Sequence, residues 1–513
     1  MDGNIISTAI ADDDALGSTS KCRVGDLAMS LKEIKYREIK FKSTSEPKSH
    51  ARSQRFHSSN EPSNDRRVKG NRMYRSFEGT RELWTKENKS LSMKLKRIQQ
   101  ISLSQNVQLN SLMSHFTADN LKECFYDLDR NKAVGVDGIT WEKYKEDLDN
   151  RIELLVTKLK RMSYRPSPVK EVLIPKDNGS TRPLAISNIE DKIIQSMYAK
   201  LLNAIYDANF LDFSYGFRPN KSSHQAIKRL RNILNEERVD TVIDIDLENF
   251  FGEISHEKLI AILEMKIKDE RFIQYLKRML KVGFIRKGKV VPVNKGVPQG
   301  SICSPILANI FAHYCLDKWI VNLHLKGKIQ AIRFADDLVI ICSNSKDSRK
   351  VLDLLEKRLQ RCDLKLNSDK TRVVKFNCYK ANRGEKSETF DFLGFTFYIG
   401  KMRSGYKVVM VKTAGKKYRA KLQNVKAWCR KTRAMWKLKY WWGEFCQKLG
   451  GHIAYYGVSF NIRMVRNFID RSIKIFYKWM LRRSEKRKWN WRKFGNFMKQ
   501  NPIPRARIYH KLF

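Results

Sequence analysis

Residues 331–342 read Ala-Ile-Arg-Phe-Ala-Asp-Asp-Leu-Val-Ile-Ile-Cys, with two adjacent acidic residues between two apolar runs rich in strand-forming side chains. This pattern predicts a β-hairpin that carries Asp336 and Asp337 at its tip, in front of a sheet. Adjacent carboxylates repel one another and are costly beside apolar strands, so a bound cation commonly explains such a pair. We therefore expect the fold to be organised around a metal-binding hairpin.

A second strand could deliver a third carboxylate to the same place. Residues 241–247 read Thr-Val-Ile-Asp-Ile-Asp-Leu, in which Asp244 and Asp246 share one face of a strand. Spacing alone does not choose between them, but the stretch that follows favours Asp246 as a metal ligand and leaves Asp244 either a structural role or a role in supporting the metal ligands. If this carboxylate converges with the acidic pair of the hairpin, the three would bind two Mg²⁺ ions and support in-line attack at phosphorus.

The stretch after the second strand contains a candidate sugar contact. Residues 246–256 read Asp-Leu-Glu-Asn-Phe-Phe-Gly-Glu-Ile-Ser-His. Phe251 lies five positions beyond the proposed metal ligand and suits an aromatic plate that excludes a nucleotide 2′-hydroxyl. The alternative, two core aromatics, is the better explanation for Phe250.

Two further stretches provide candidate contacts to a nucleotide. Residues 296–309, Gly-Val-Pro-Gln-Gly-Ser-Ile-Cys-Ser-Pro-Ile-Leu-Ala-Asn, predict a bent loop anchored by a helix, which would press Gln299 and Gly300 against a base and sugar. Residues 173–184 predict a hairpin with Asn-Gly in its turn. Lys176 and Arg182 on its two arms suit a triphosphate, although a solvated basic hairpin would have the same pattern.

A lysine after the acidic hairpin is a candidate general acid. Lys370 follows Leu-Lys-Leu-Asn-Ser-Asp at 364–369 and could protonate departing pyrophosphate. Surface lysines are abundant in this chain, so the position alone does not distinguish this role from a solvated side chain.

The charge of the chain indicates a polyanionic partner. Its 513 residues include 101 Lys and Arg against 54 Asp and Glu, a formal net charge of +47. Residues 401–513 hold 31 of the basic residues and three acidic ones, together with seven of the ten tryptophans. Nucleic acid, and folded RNA in particular, is the partner that aromatic stacking and cation–phosphate contacts favour.

Other classes of protein are disfavoured. Nine scattered cysteines form no C-x-x-C pair, which argues against a disulfide framework or a cysteine-rich zinc module. No apolar run approaches the roughly 18 residues that a membrane span needs. The N-terminus lacks the pattern of a signal or transit peptide, so we expect a reducing cytoplasm.

Taken together, these strings resemble the reverse transcriptase/maturase family encoded by mobile group II introns. The resemblance begins near residue 131 with Asn-Lys-Ala-Val-Gly-Val-Asp-Gly and covers roughly three quarters of the chain. It includes Ser-Tyr-Gly-Phe-Arg-Pro-Asn-Lys-Ser-Ser-His at 214–224. It also includes Gly-His-Ile-Ala-Tyr-Tyr-Gly-Val-Ser at 451–459, which is similar to that family's thumb and maturase (X) region.

The resemblance implies an α+β right-hand polymerase fold, with fingers and palm followed by a helical thumb/maturase (X) domain. We expect an unstructured extension over 1–72, a helical fingers extension over 73–165, fingers and palm over 166–400, the thumb over 401–485 and a basic tail over 486–513. The Cys pairs and His-Asn-His cluster of the family's DNA endonuclease are absent from the sequence, so we do not expect this chain to cleave a second strand.

The resemblance also implies roles for single residues. The acidic trio would be ligands of two Mg²⁺ ions, Phe251 the sugar gate, and Lys176, Arg182 and Gln299 nucleotide contacts. Phe334 stands where the family commonly has Tyr, which keeps the aromatic ring. Gly252 stands where Asp is frequent, so we expect no acidic role there.

The basic end of the chain is a candidate RNA clamp. Its most concentrated stretch, residues 482–493, is interpreted as a contact surface, since nothing could neutralise it inside a core. The expected RNA contacts are Arg482, Arg483, Lys486, Arg487, Lys488, Arg492 and Lys493. For the adjacent Trp441 and Trp442, core packing is the better explanation.

The sequence therefore predicts a bifunctional protein of the bacterial cytoplasm. It would bind its host intron RNA, assist splicing and copy that RNA into DNA from a DNA primer at a target site, using dNTPs. One alternative is a free-standing reverse transcriptase, for example in phage defence. The other is an RNA-binding splicing factor with a decayed polymerase, which the intact acidic trio disfavours.

Overall fold

The computed structural model describes residues 91–104, 107–175, 181–286, 288–483 and 489–512. Several sequence expectations fall outside these residues: the unstructured extension over 1–72, the Asn178-Gly179 turn, Lys176, Lys486, Arg487 and Lys488.

Strands occur in the middle of the chain. They are β1 (Val169–Pro175), β2 (Thr181–Ile186), β3 (Thr241–Ile245), β4 (Phe284–Arg286), β5 (Lys289–Val291), β6 (Ile329–Phe334), β7 (Asp337–Cys342), β8 (Arg372–Lys375), β9 (Phe390–Phe392), β10 (Phe395–Lys401) and β11 (Lys407–Thr413).

Helices flank these strands and form the end of the chain. They are α1 (91–102), α2 (Ala118–Tyr126), α3 (Trp141–Lys145), α4 (Leu148–Lys160), α5 (Ile189–Tyr206), α6 (Ser223–Glu236), α7 (Phe250–Glu253), α8 (His256–Glu264), α9 (Glu270–Leu280), α10 (Ser304–Ala312), α11 (Lys318–Val321), α12 (Ser345–Arg361), α13 (Cys378–Asn382), α14 (Gly415–Thr432), α15 (Leu438–Tyr456), α16 (Ile462–Met480) and α17 (Trp491–Gln500). A π-helical turn at His313–Asp317 joins α10 to α11, and 3₁₀ turns lie at Leu112–His115 and Asp207–Asn209.

The central sheet has the order β6-β7-β3-β8, with every neighbouring pair antiparallel. β6 and β7 form the predicted hairpin, in which Phe334 lies opposite Asp337. β3 pairs with β7, and Ile245 lies opposite Leu338. The strands predicted from the apolar runs are therefore present, and the acidic hairpin lies beside the strand that leads to Asp246.

A second sheet has the order β2-β1-β4-β5. β1 and β2 are antiparallel with Pro175 opposite Thr181, which confirms the predicted basic hairpin on either side of its undescribed tip. β1 also pairs with β4 in parallel, and β4 turns back into β5. Sequence analysis missed β4 and β5 because each is only three residues long and none of their side chains is fully buried.

The third sheet, β11-β10-β9, lies between the central sheet and the helical end of the chain in sequence. Leu393 (φ 48°) and Gly394 (φ 80°) make the turn between β9 and β10. Positive φ at both positions matches a two-residue hairpin turn whose twist suits the strands. A Cβ atom on Gly394 would lie 3.0 Å from the Tyr456 hydroxyl, so this turn packs closely under α15.

One continuous core joins the central sheet, α6, the third sheet and the helices from α14 onward. Trp441 is fully buried and donates from Nε1 to Thr432 Oγ1 at 2.8 Å, while Trp442 donates to the Asn501 carbonyl at 3.0 Å. Their expected core role is therefore confirmed. Phe494 and Leu512 are buried in the same core, so the described part of the region expected to be a basic tail packs with the helices from α14 onward.

The cysteines and the helices of the described residues can be compared with those of disulfide-bonded and membrane-spanning proteins. Each of the eight cysteines in them is a free thiol, and most of these thiols are buried. In the same part of the chain, no helix is both long enough and apolar enough to traverse a lipid bilayer.

His452 on α15 is an unusual core residue. Its ring stacks on Phe468 with centroids 3.6 Å apart, and neither ring nitrogen has a hydrogen-bond partner among the described residues. Burial, with a smaller contribution from the charge of Lys421, lowers the pKa of His452 to about 3. The folded protein therefore holds this imidazole in its neutral form.

This burial predicts acid sensitivity. As the pH falls from the ordinary histidine pKa of 6.5 towards 3, the unfolded chain binds a proton at His452 that the folded chain excludes, so stability falls. His452→Phe keeps a ring against Phe468 and should flatten this part of the curve of thermal midpoint against pH. The exposed His324→Phe serves as the control and should leave the slope unchanged. An unchanged slope in the His452 variant would contradict this account.

Candidate active site

The acidic hairpin and β3 bring carboxylates to one edge of the central sheet. The pairing of β3 with β7 ends at Ile245 and Leu338, and the next residues on the two strands are Asp246 and Asp337. Alternation along each strand puts both on the sheet face that carries Asp244. Asp336 precedes its neighbour in the turn of the hairpin. Sequence analysis thus placed these acids on the correct neighbouring strands.

Several carboxylates lie close together at the tip of the acidic hairpin. The pKa of the Asp337 carboxyl is raised to about 7. Burial by surrounding protein atoms contributes most to this rise, followed by the charge of Asp336 and then by the charges of Asp244 and Asp246. The Asp337 side chain is solvent-exposed, and the neighbouring carboxylates act on it across one edge of the sheet. Lys417 of α14 opposes the shift, so this helix also contributes charge to this face.

The segment after α12 holds Asp246 from the other side. The Asn367 amide donates to the Asp246 carbonyl at 2.9 Å, and the Asp246 amide donates to Thr371 Oγ1 at 3.3 Å. These bonds bring Lys370 Nζ to 3.1 Å from Asp246 Oδ2. The candidate general acid therefore contacts a candidate metal ligand directly.

Asp244 is engaged differently. Its Oδ2 accepts from the Arg372 guanidinium at 3.3 Å. Burial raises the pKa of the Asp244 carboxyl, and the charge of Arg372 opposes that rise. This ion pair agrees with the structural role that sequence analysis assigned to Asp244.

A buried arginine holds the turn of the hairpin. Arg333 on β6 is 1% exposed and donates to Asp317 at 2.6 and 2.5 Å, to Asn309 Oδ1 at 2.9 Å, to the Ala335 carbonyl at 3.0 Å and to Ser214 Oγ at 2.7 Å. These bonds use all five N–H groups of the guanidinium. Burial is the largest effect and acts to raise the pKa of Asp317, but the charge of Arg333 together with the hydrogen bonds from His313 and Arg333 outweighs it, and the pKa is lowered.

The loop before α6 packs against the same turn. A Cβ atom on Gly216 would lie 2.2 Å from the Ala335 amide nitrogen, so only glycine lets the two backbones approach. Asn309 Nδ2 donates to the Gly216 carbonyl at 2.6 Å, and the Tyr215 amide donates to the Arg333 carbonyl at 2.8 Å. Ala335 itself has φ 60°, a left-handed conformation that these contacts enforce.

Sequence analysis missed this supporting network. The available signal was Arg333, a charged residue inside an otherwise apolar strand. If such a residue is buried, its charge must be paired with an acidic side chain. The side-chain partners of Arg333 lie 16 to 119 residues away along the chain, which is why spacing alone could not identify them.

The candidate sugar gate is held by backbone contacts to the glycine-rich loop. Phe251 lies on α7, and its carbonyl accepts from the Val297 amide at 2.8 Å. A Cβ atom on Gly296, which has φ 86°, would lie 2.8 Å from the Gly252 carbonyl oxygen. The glycine at 252 therefore belongs to a close crossing of two backbone segments.

The same loop contacts β2. The Ala185 amide donates to the Gln299 carbonyl at 2.6 Å, and a Cβ atom on Gly300 (φ 111°) would lie 2.5 Å from the Ala185 carbonyl oxygen. Arg182 is exposed on the same strand, three residues earlier. The loop that carries Gln299 thus contacts both the helix of Phe251 and the strand of Arg182. These three candidate nucleotide contacts therefore lie on neighbouring segments.

The donor set fits a hard divalent cation. Within the described ranges, no three Asp, Glu, His or Cys side chains are already grouped so as to hold a metal ion. Mg²⁺, however, is commonly bound through one or two carboxylates together with water and substrate phosphates. Asp246 and Asp337 supply such oxygen ligands, and a cation would relieve the crowding of charge that raises the pKa of Asp337.

A basic groove lies between α14 and α16. It is lined by Lys426, Arg430, Arg433, Lys478, Trp479 and Arg482. Trp479 is contacted by two of these cations, since the guanidinium carbons of Arg433 and Arg482 each lie 5.1 Å from its ring centroid. The groove combines cations with an aromatic side chain, as surfaces that bind nucleic acid do.

The expected RNA contacts occupy different environments. Arg482 is exposed and lines the basic groove, and Arg492 and Lys493 are exposed on α17. Arg483 instead donates to the Trp436 carbonyl at 2.6 Å and lies over the Trp441 ring. Its contacts are therefore with tryptophans at and within the helical core.

Comparisons with known proteins agree with these features. Residues 174–397 match the family model described as reverse transcriptase (RNA-dependent DNA polymerase). The chain is 32% identical over 279 residues to protein YkfC of Escherichia coli (strain K12), covering 47% of this chain and 72% of that protein.

Two further relatives are intron proteins. The chain is 34% identical over 203 residues to the group II intron-encoded protein LtrA of Lactococcus lactis subsp. cremoris, which covers 39% of this chain and 33% of that protein. It is 27% identical over 207 residues to nuclear intron maturase 3, mitochondrial, of Arabidopsis thaliana, covering 34% and 28% respectively. The chain thus spans about a third or less of the length of these two relatives.

The buried network around Arg333 makes a stability prediction. Arg333→Met leaves the Asp317 carboxylate buried without its counter-charge and should lower the free energy of unfolding by about 3–5 kcal/mol. Arg333→Met combined with Asp317→Leu removes both charges and should recover most of that loss. Urea unfolding of the two variants measures the difference.

An exposed ion pair provides the matched control. Lys277→Met breaks the solvent-exposed contact with Glu264 and should change the free energy of unfolding by less than about 1 kcal/mol. If the double variant were as unstable as the single Arg333 variant, the cost would not come from an unpaired buried charge.

Proposed function

The chain belongs to the group II intron reverse transcriptase and maturase family, and on that basis we propose that it copies its host intron RNA into DNA at the acidic hairpin. The observation that carries the proposal is the arrangement of Asp246 and Asp337 at adjacent ends of β3 and β7 on one sheet face. Both lie within the residues that match the reverse transcriptase model. The proposed partners are an RNA template, a DNA primer and dNTPs, and the proposed compartment is the bacterial cytoplasm.

The acidic residues hold the catalytic cation in this proposal. Asp246, Asp336 and Asp337 would bind Mg²⁺, which lowers the pKa of a primer 3′-hydroxyl and neutralises charge on the triphosphate when it is bound. The protein's own contribution is to fix these carboxylates. The Arg333 network holds the turn, and the bonds from Asn367 and Thr371 hold the backbone at Asp246.

The loops around the hairpin position the nucleotide. Arg182 presents a planar fork that suits phosphate oxygens. The backbone at Gln299 and Gly300 confines the base and sugar, because its bonds to β2 hold the loop. We assign to the Phe251 ring the exclusion of a 2′-hydroxyl, which would select deoxynucleotides.

Lys370 carries the proposed proton transfer. Its Nζ lies 3.1 Å from Asp246 Oδ2, so the ammonium is already held at the acidic face. We assign to it the donation of a proton to the leaving pyrophosphate. Its second role is to offset the negative charge of Asp246 before substrate binds.

The basic groove supports the second proposed activity, which is binding of the intron RNA and assistance of its folding for splicing. Its cations line a single groove on the thumb and suit a folded phosphate backbone. Trp479 lies at the boundary of the core and provides an aromatic surface that the flanking arginines contact. The exposed cations of α17 would extend this surface.

The catalytic proposal predicts a separation of activities. Asp336→Asn with Asp337→Asn should lower primer extension on an RNA template roughly 1,000-fold, because cation binding is lost. The dissociation constant for intron RNA should stay within about two-fold, since the groove is untouched. The exposed Asp353→Asn on α12 is the control and should retain extension. Full extension by the double variant would refute the assignment of the acidic hairpin.

The RNA surface makes an independent prediction. Replacing Arg430, Arg433 and Lys478 by Ala should weaken intron RNA binding and lower the slope of log K against log[salt] by about 0.7–0.9 per lost phosphate contact. A matched triple replacement of the exposed Lys346, Arg349 and Lys350 on α12 should leave that slope unchanged. Equal slopes for the two triple variants would place the RNA surface elsewhere.

A further inference from the structure

A second aromatic side chain contacts the proposed sugar gate. Phe217 is 52% exposed, and its ring centroid lies 6.3 Å from that of Phe251 at an interplanar angle of 83°. Phe251 makes another edge-on contact with the buried Phe250, with centroids 5.8 Å apart at 86°. The gate ring therefore touches one aromatic partner in the core and one at the surface.

Phe217 is held in place by a well-bonded loop. Arg218, the next residue, donates to Asp207 Oδ1 at 2.7 Å, to the Asp207 carbonyl at 2.9 Å, to the Leu211 carbonyl at 3.0 Å and to the Ser214 carbonyl at 2.9 Å. These bonds close the loop on itself. The exposure of Phe217 thus comes from a fixed backbone that presents the ring.

The backbone at Phe217 is strained. Its φ is 55°, in the left-handed region that a bulky L-residue rarely adopts. Strain of this kind persists only where the surroundings enforce it, and it is concentrated at functional sites. A large apolar ring at such a position lowers the stability of the fold in two ways, because its backbone conformation is unfavourable and its apolar surface is exposed to water.

Phe217 also lies next to the acidic turn. The preceding Gly216 is packed so closely on Ala335 that a Cβ atom would lie 2.2 Å from the Ala335 amide nitrogen. Phe217 therefore extends from the backbone that supports the catalytic turn towards the gate ring. Its position depends on the same contacts that fix Asp336.

We infer that Phe217 is a specificity-determining residue that restrains the Phe251 ring and so keeps the gate closed against a 2′-hydroxyl. Without Phe217, the gate ring would lose its surface contact and could rotate away from the sugar. The inference rests on the proposed role of Phe251. It adds a second residue, from a separate loop, to the selection of dNTPs over rNTPs.

Single-nucleotide incorporation on an RNA template with a DNA primer tests this role. The measured quantity is kcat/KM for a dNTP divided by kcat/KM for the matching rNTP. Phe217→Ala should lower this ratio roughly ten-fold, while kcat/KM for the dNTP changes by only a few-fold. Phe217→Tyr retains the ring and should retain the ratio. Tyr379→Ala, which removes an aromatic side chain that is also 52% exposed, should have no effect.

A second variant that lacks the aromatic ring distinguishes loss of the restraint from a folding defect. Phe217→Gly suits the positive φ and should lower the ratio as Phe217→Ala does, without a loss of thermal stability. Combining Phe217→Ala with Phe251→Ala should give the ratio of Phe251→Ala alone, because a restraint has no effect once the gate is absent.

The outcomes separate this inference from the proposed function. If Phe251→Ala lowers the ratio and both ring-free Phe217 variants leave it unchanged, the restraint is refuted while the gate stands. If Phe251→Ala itself leaves the ratio unchanged, the gate assignment fails. If the ring-free variants weaken primer–template binding without changing the ratio, Phe217 contacts nucleic acid and the inference is overturned.

Discussion

The buried ion pair between Arg333 and Asp317 is the interaction on which the active-site geometry depends. Two fully enclosed charges are tolerated only if each is paired and its remaining hydrogen-bonding groups are satisfied. Here the guanidinium meets that requirement by bonding to three further groups: Ser214, Asn309 and the carbonyl of Ala335. The need to satisfy one arginine thus ties a helix, a loop and a strand to the acidic turn.

Several of the left-handed backbone conformations in the described residues lie around the site that this pair supports. Positive φ values occur at Ala335 in the acidic turn, at Phe217 in the supporting loop, at Asn249 before the gate helix, and at Gly296 and Gly300 in the loop that contacts β2. Ala335, Gly296 and Gly300 each lie in close contact with the backbone of a neighbouring segment. The strained conformations are therefore consistent with a rigid pocket whose walls support one another.

Features that depend on residues close together in the sequence could be predicted, whereas those that depend on residues far apart in the sequence could not. The acidic hairpin and β3 could be recognised from sequence because alternation of apolar and acidic residues is a local signal. The contact between Gly216 and Ala335 could not, because it joins segments over a hundred residues apart. Of the residues that line the basic groove, sequence analysis identified Arg482 but not Arg430 or Lys478, which lie on different helices that only tertiary packing brings together.

The central claim is that Asp246 and the acidic turn share bound cations. Anomalous diffraction from a crystal of the protein with Mn²⁺, an RNA template, a DNA primer and a non-hydrolysable dNTP analogue would test it most directly. The account predicts anomalous peaks within coordination distance of carboxylate oxygens of both Asp246 and Asp337. Peaks that contact the triphosphate but neither of these carboxylates, or that lie elsewhere on the protein, would contradict it.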